Sequence, residues 1–498
     1  MNLLFKKRIS GFVFIFIIIL IYSCSGRISE DEIIQQRVKL YAGDDVFTCE
    51  ERDSLKFFLA NLKTKSKKID SLLSNWDEGK FTLFIDEVLN KINYKETEIC
   101  DPTIVNKVKA VNVYLDNTYS MAGYNNGHSE FKDALADLLS KLKSVYGQDK
   151  LFLNYINAEI FPINYKDPIE FIYNIDNKDI GRADKKNKSL YNKTELNRMF
   201  ETILDSLREN QINLFITDCI FSISDTSIRT LNQLRNYLNN SVSGKLQNNQ
   251  ISFAIIKFNS DFTGFYTNII GTSYEISAKR PYYLIVMSDK FLLKNLFKKI
   301  DFKKIDGFEN YFIFISQKKV LVPQCELLYN TGKSGSFKQD RDNKNAIEIK
   351  DVKPGENNQL SFSIAANLSS MNYDDSYLCD TQNYHLNNGF SVEKVERTGP
   401  NNIDKKDIHN CEKIKATHII KIKTDNFTPG KYNLTLVFKN NIPGWINLTN
   451  TNNDRDEQEV INGKTLGLKL FFEGIFEAYR NKDIIKENLF SISIILNN

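Results

Sequence analysis

The stretch Val113-Tyr114-Leu115-Asp116-Asn117-Thr118-Tyr119-Ser120-Met121 places one carboxylate and two hydroxyls at alternate positions after an apolar run. Spaced by two, Asp116, Thr118 and Ser120 are able to face a single point. Oxygen-only donors of this kind suit a hard cation such as Mg²⁺, which prefers octahedral geometry and retains several waters. A reading without an ion is also open, in which Asp116 caps a helix while Thr118 and Ser120 satisfy turn amides.

For these side chains to meet, they must sit at a strand end. Six short apolar runs read as strands: Ala110–Asp116, Leu151–Ile156, Ile212–Asp218, Ile251–Phe258, Tyr282–Met287 and Tyr311–Ile315. One-sided helices lie between them. Phe131, Leu135, Leu138, Leu139, Leu142 and Val145 form one stripe, and Leu196, Met199, Phe200, Ile203, Leu204 and Leu207 a second. A third helix runs through Ile228, Leu231, Leu234 and Leu238. Continuous apolar strands alternating with such helices predict a mainly parallel sheet covered on both faces. Ligands of open parallel sheets bind at the carboxyl ends of the strands, where Asp116 falls.

The loop resembles the DxSxS motif of von Willebrand factor A domains, the integrin I-type fold, in which it forms a metal-ion-dependent adhesion site. The resemblance covers about residues 108–316. It implies a further oxygen from a threonine before a later helix, best matched by Thr194 with Ser189 as competitor, and an aspartate ending a later strand, matched by Asp218. Asp116, Thr118, Ser120, Thr194 and Asp218 would then hold Mg²⁺, or Mn²⁺ or Ca²⁺, and leave one position for a carboxylate from a partner protein. Thr118 replaces the family's usual serine, and Tyr119 and Cys219 stand where glycine is common. Tyr119 either shades the ion or joins a binding rim with Tyr124 and His128. The same aspartate also resembles the nucleophile of haloacid-dehalogenase-type phosphatases. Their pattern needs a second acid two residues on, where this chain has Thr118, so proton transfer loses its carrier.

At the amino terminus, Lys6-Lys7-Arg8 precedes an apolar run from Gly11 to Tyr22, which is too short to cross a bilayer comfortably and reads as a secretory signal. Leu20-Ile21-Tyr22-Ser23-Cys24 resembles the lipobox of bacterial lipoproteins. That implies cleavage before Cys24, acylation of its thiol and new amino group, and anchoring to a bacterial membrane, the outer one favoured, with the body in the periplasm or at the cell surface. Two or more acyl chains exceed what stable anchoring requires.

The chain has 498 residues, 42% hydrophobic and 26% charged, which predicts two to four domains. Its formal charge of +4 lacks the basic footprint of a nucleic-acid binder. The run Lys185-Lys186-Asn187-Lys188 reads as a solvated loop. No CxxC or HExxH is present, so zinc is not indicated. Six cysteines besides Cys24 permit disulfides in an exported protein, with Cys49–Cys100 and Cys379–Cys411 as candidate pairs. The expected order is a signal (1–23), a polar tether (24–50), a helical segment (51–107), the α/β domain (108–320) and an antiparallel β-sandwich (321–498). The sandwich is signalled by alternation in Leu360-Phe362-Ile364, Ile420-Ile422 and Tyr432-Leu434-Leu436-Phe438. The turn Thr428-Pro429-Gly430 and the strand after it resemble the last hairpin of an immunoglobulin-like module. A final helix over about Lys464–Arg480 and a strand Phe490–Leu496 should dock back on the body.

Overall fold

The computed structural model describes residues 29–41, 46–47, 49–62, 67–74, 78–92, 98–99, 108–157, 159–175, 196–220, 228–246, 251–315, 320–340, 346–371, 373–482 and 485–497. The chain divides into two compact units, Met1–Asp101 and Pro102–Asn498. Cys24, and with it the signal and lipid attachment, lies outside the described residues. Among the described residues no helix is long and apolar enough to cross a membrane.

The first unit contains α1 (Glu30–Tyr41), β1 (Val46–Phe47), α2 (Cys49–Asn61), α3 (Lys67–Ser74), α4 (Glu78–Lys91) and β2 (Glu98–Ile99). Ile34, Val38, Leu55, Leu59, Phe81, Ile85 and Leu89 close its core. The polar stretch expected as a tether is therefore partly folded. Its acidic cluster is a helix start: the Glu32 amide donates to Ser29 Oγ at 3.2 Å, and the Ser29 amide donates to Glu32 Oε2 at 3.1 Å. This reciprocal pair satisfies two end donors that a helix cannot satisfy internally.

The second unit begins with β3 (Ala110–Asp116), α5 (Glu130–Tyr146), β4 (Leu151–Ile156), β5 (Ile160–Pro162), α6 (Pro168–Asn174), α7 (Leu196–Ser206), β6 (Gln211–Thr217), α8 (Ile228–Leu246), β7 (Ile251–Thr267), β8 (Ser273–Asp289), α9 (Lys290–Lys299) and β9 (Phe308–Phe314). These strands form one sheet in the order β5-β4-β3-β6-β8-β7-β9. The α/β reading holds, and β4, β3 and β6 are parallel. The outer pairings are antiparallel. For β7 and β8 the reason is local: they run 17 residues each and meet through a short turn, and a turn that short only joins antiparallel neighbours. The hairpin extends well past the strands expected at Ile251–Phe258 and Tyr282–Met287.

Alternation assigns the two sheet faces. Val111, Val113, Leu115, Ile212, Leu214 and Ile216 pack under Phe131, Leu135, Leu139, Leu292 and Leu296. Phe215, Phe253, Ile255, Tyr283 and Ile285 pack on the opposite side under Met199, Phe200, Ile203, Leu238 and Val242.

The remaining strands are β10 (Gln324–Leu328), β11 (Ser336–Asp340), β12 (Ile347–Lys353), β13 (Leu360–Asn367), β14 (Tyr384–His385), β15 (Ser391–Arg397), β16 (His418–Thr424) and β17 (Tyr432–Lys439), followed by the short β18 (Asn450–Thr451) and β19 (Thr465–Leu466), then β20 (Asn488–Leu496). They build a four-stranded sheet, β10-β13-β16-β15, and a five-stranded sheet, β11-β12-β20-β17-β14. All pairings in these two sheets are antiparallel except β12 with β20. Four short helices lie among them, α10 (Asp375–Leu378), α11 (Ile408–Lys413), α12 (Gly444–Thr449) and α13 (Glu457–Ile461), before the last helix, α14 (Leu468–Asn481).

Helix α14 leaves the two-sheet region and covers the α/β sheet. Phe471 meets Phe200 at 5.3 Å and Tyr479 meets Phe253 at 6.1 Å between ring centroids. Gly474 permits the approach of α14 to α8, because a Cβ there would stand 2.8 Å from the Arg235 carbonyl oxygen. The expected boundary near residue 320 is thus crossed by the end of the chain. Cys219, Cys325, Cys379 and Cys411 carry free thiols, so Cys379 and Cys411 are not joined; Cys411 lies with Leu328, Ala365 and Ile419 against the outer face of the four-stranded sheet. The pair Cys49–Cys100 cannot be followed, because the Cys49 side chain and Cys100 fall outside the described residues.

Candidate metal centre at the ends of two parallel strands

β3 pairs with β6 in parallel register, Leu115 opposite Ile216, so the chain leaves both strands at the same sheet edge. Asp116 and Asp218 thereby meet at the carboxyl ends of adjacent strands. Both are buried, at 3% and 1% exposure.

The Asp116 carboxylate is held on both oxygens. Its Oδ1 accepts from the Thr118 amide at 3.0 Å and from Thr118 Oγ1 at 2.7 Å. Its Oδ2 accepts from Thr217 Oγ1 at 2.7 Å. Thr217 Oγ1 accepts in turn from the Cys219 amide at 3.1 Å. Thr118 Oγ1 also lies 3.1 Å from Ser120 Oγ. The loop thus links Ser120, Thr118 and Asp116 through hydrogen bonds, met from the other strand by Thr217.

Asp218 is less well satisfied. Its Oδ1 accepts from the Ile220 amide at 3.0 Å, whereas its Oδ2 is buried and accepts no hydrogen bond. A buried, unpartnered carboxylate oxygen is costly unless a cation faces it. Burial, and then the neighbouring Asp218, push the Asp116 carboxyl up to about 7. Burial pushes the Asp218 carboxyl up as well, against the pull of the Ile220 amide, the Ser120 hydroxyl and the Arg280 guanidinium. The apolar backing comes from Leu115, Met121, Phe131, Leu135, Ile175 and Ile216, which line a small cavity beside Asp116.

These residues fit a hard cation. The two hydroxyl oxygens stand 3.1 Å apart, near the spacing of adjacent vertices in an octahedron with bonds of about 2.1 Å. Among the described residues no three His, Cys, Asp or Glu side chains form a metal-ligating group, so a site here rests on two carboxylates with hydroxyls and water. Thr194 and Ser189 lie outside the described residues.

Of the expected rim, Tyr119 is 58% exposed and His128 is exposed, 6.4 Å from the Tyr173 ring. Tyr124 is fully buried and cannot serve a rim. Its ring packs on Phe131, Phe262 and Tyr282, and its hydroxyl donates to the Pro281 carbonyl at 2.7 Å. The loop can press this closely on β7 because residue 123 is glycine: a Cβ there would lie 2.4 Å from the Phe262 ring.

Three further residues shape the centre. Thr217, the last residue of β6, bridges the two strand ends. Cys219 adopts a left-handed backbone (φ 54°), which explains why glycine suits that position. Burial, and then Asp218 and Asp116, raise its thiol far above the ordinary range. Arg280 is buried beside the centre and was not distinguishable in the sequence from its neighbour Lys279. No family model, curated protein or solved structure matches the chain.

Proposed function

We propose that this chain is an exported, lipid-anchored protein that binds a partner protein through a divalent cation held at Asp116, Thr118, Ser120 and Asp218, with Thr194 completing the set. The observation that carries the reading is that Asp116, Thr118, Ser120 and Asp218 come together from two adjacent strand ends, with Asp218 Oδ2 buried and unbonded. A bound Mg²⁺ would offer an electrophilic position to a carboxylate oxygen of the partner. The chain's own residues orient that position: Thr118 donates to Asp116 and contacts Ser120, and Thr217 holds the Asp116 carboxylate from the neighbouring strand. Tyr119, exposed between the two hydroxyl residues, supplies an aromatic contact of the kind enriched in binding hot spots.

A second reading, a metal-independent component of a cell-envelope assembly, is favoured by the complete hydrogen bonding of Asp116. Crosslinking pull-down from intact membranes with Mg²⁺ separates the two. An adhesive site loses its partner in chelator and in Asp116→Ala, and a partner retained in both establishes the scaffold reading. Mass and detergent partitioning of wild type against Cys24→Ala test the anchor.

A further inference from the structure

The segment from β18 to β19 leaves the two-sheet region and straps the β7–β8 hairpin beside the acidic centre. Asp454 accepts from the Tyr266 hydroxyl at 2.9 Å and from the Ile269 amide at 3.1 Å. The Tyr274 hydroxyl donates to the Arg455 carbonyl at 2.6 Å, and Tyr283 Oη lies 3.0 Å from Thr465 Oγ1. Arg280 ties the strap most deeply: it donates through Nη1 to the Val460 carbonyl and through Nη2 to the Lys464 carbonyl at 3.3 Å. Its guanidinium lies 4.7 Å from the Tyr266 ring centroid, and it is 1% exposed.

The other side of Arg280 faces the centre. β6 and β8 pair with Thr217 opposite Tyr283, so the chain turns into Asp218 beside the stretch Arg280-Pro281-Tyr282. Tyr124, at the end of the loop that carries Thr118 and Ser120, donates to the Pro281 carbonyl. Arg280 Nε is buried without a hydrogen bond. Arg280 stands between two buried acids, drawn toward Asp218 on one side and sharing Tyr266 with Asp454 on the other. A divalent cation held at Asp116 and Asp218 would offset their charge and repel the guanidinium away from Asp218 and toward the strap.

We propose that Arg280 couples cation occupancy of the Asp116–Asp218 centre to docking of the strap, residues 451–466. This rests on the cation reading above. With the centre filled, Arg280 commits its donors to Val460 and Lys464 and the strap tightens. With the strap loosened, Arg280 turns to Asp218 and competes with the cation. Linkage makes the effect reciprocal: whatever factor the ion contributes to strap closure, closure contributes to ion affinity. Arginine is required because a planar fork reaches two carbonyls at once, which a lysine ammonium on a flexible stem does not.

The test is amide hydrogen exchange of the full chain with and without Mn²⁺, beside calorimetric titration with the same ion. In wild type, Mn²⁺ should slow exchange in residues 451–466 by about fivefold or more, in the range of ordinary coupling factors. In Arg280→Lys the ion should still bind while that slowing disappears. Tyr266→Phe, which removes one strap donor without altering charge, should speed strap exchange and weaken Mn²⁺ binding several-fold. Ion binding to wild type with no change in the strap, equal slowing in Arg280→Lys, or unaltered affinity in Tyr266→Phe overturns the coupling while leaving the cation site standing. No heat with Mn²⁺ in wild type overturns the cation reading and the coupling with it.

Discussion

The Thr217 hydroxyl donates to Asp116 Oδ2 over 2.7 Å, joining the ends of two parallel strands that lie 101 residues apart in sequence. The bond matters because it fixes one carboxylate before any ion arrives. Thr217→Val keeps the shape of the side chain and removes the donor, leaving Asp116 Oδ2 buried and unsatisfied. We expect a loss of about 1–3 kcal/mol in unfolding free energy, measured by urea denaturation, together with weaker Mg²⁺ binding.

Asp218→Asn separates repulsion from ligation. Removing one of two neighbouring buried acids should raise the melting temperature of the metal-free protein at pH 8 and abolish Mg²⁺ binding in calorimetry. A variant that melts lower and still binds the ion would contradict the assignment of Asp218.

The pH dependence follows from Asp116. Its carboxyl rises from 3.8 to about 7 in the folded chain, so between these values the native state holds a proton that the unfolded state has released. Stability therefore falls as pH rises through that window. The metal-free protein should melt higher at pH 5 than at pH 8, and Mg²⁺ should recover most of the difference at pH 8. Scanning calorimetry in both buffers measures it.

Much of this centre was legible in the sequence. Asp116, Thr118 and Ser120 are contiguous, and the apolar runs before Asp116 and Asp218 place both acids at strand ends. Thr217 was visible as a strand residue, but nothing linear says that its hydroxyl turns toward a neighbouring strand. Arg280 was hidden for a different reason. It follows Lys279 in a polar stretch, and only the pairing of the long hairpin decides that Lys279 meets Glu130 at the surface while Arg280 turns inward. Alternation of Phe262, Gly264 and Tyr266 was the available signal for the longer hairpin. Tyr124 reads as a rim residue because it directly follows the Asp116 loop in a run with Asn125, Asn126 and His128, whereas contact with Phe262 draws its ring into the core.

The close approach of α8 and α14 gives a test of the fold that is independent of the centre. A Cβ at residue 474 would lie 2.8 Å from the Arg235 carbonyl oxygen and 2.9 Å from Leu238 Cβ, and both belong to a neighbouring helix that must move to make room. Gly474→Val should cost about 1–3 kcal/mol, seen as a lower denaturation midpoint, with Mg²⁺ affinity little altered because the clash is remote from the acids.

Helix α14 lies far downstream of the α/β half in sequence, yet it shields Phe200, Phe253 and Phe314, which belong to that half. A nascent chain that has not reached Leu468 keeps these rings open to water, so the α/β half cannot complete its packing before α14 is made. The α/β sheet therefore keeps an open aromatic face until a segment from beyond the two-sheet region folds back over it, so the two regions close together rather than one after the other.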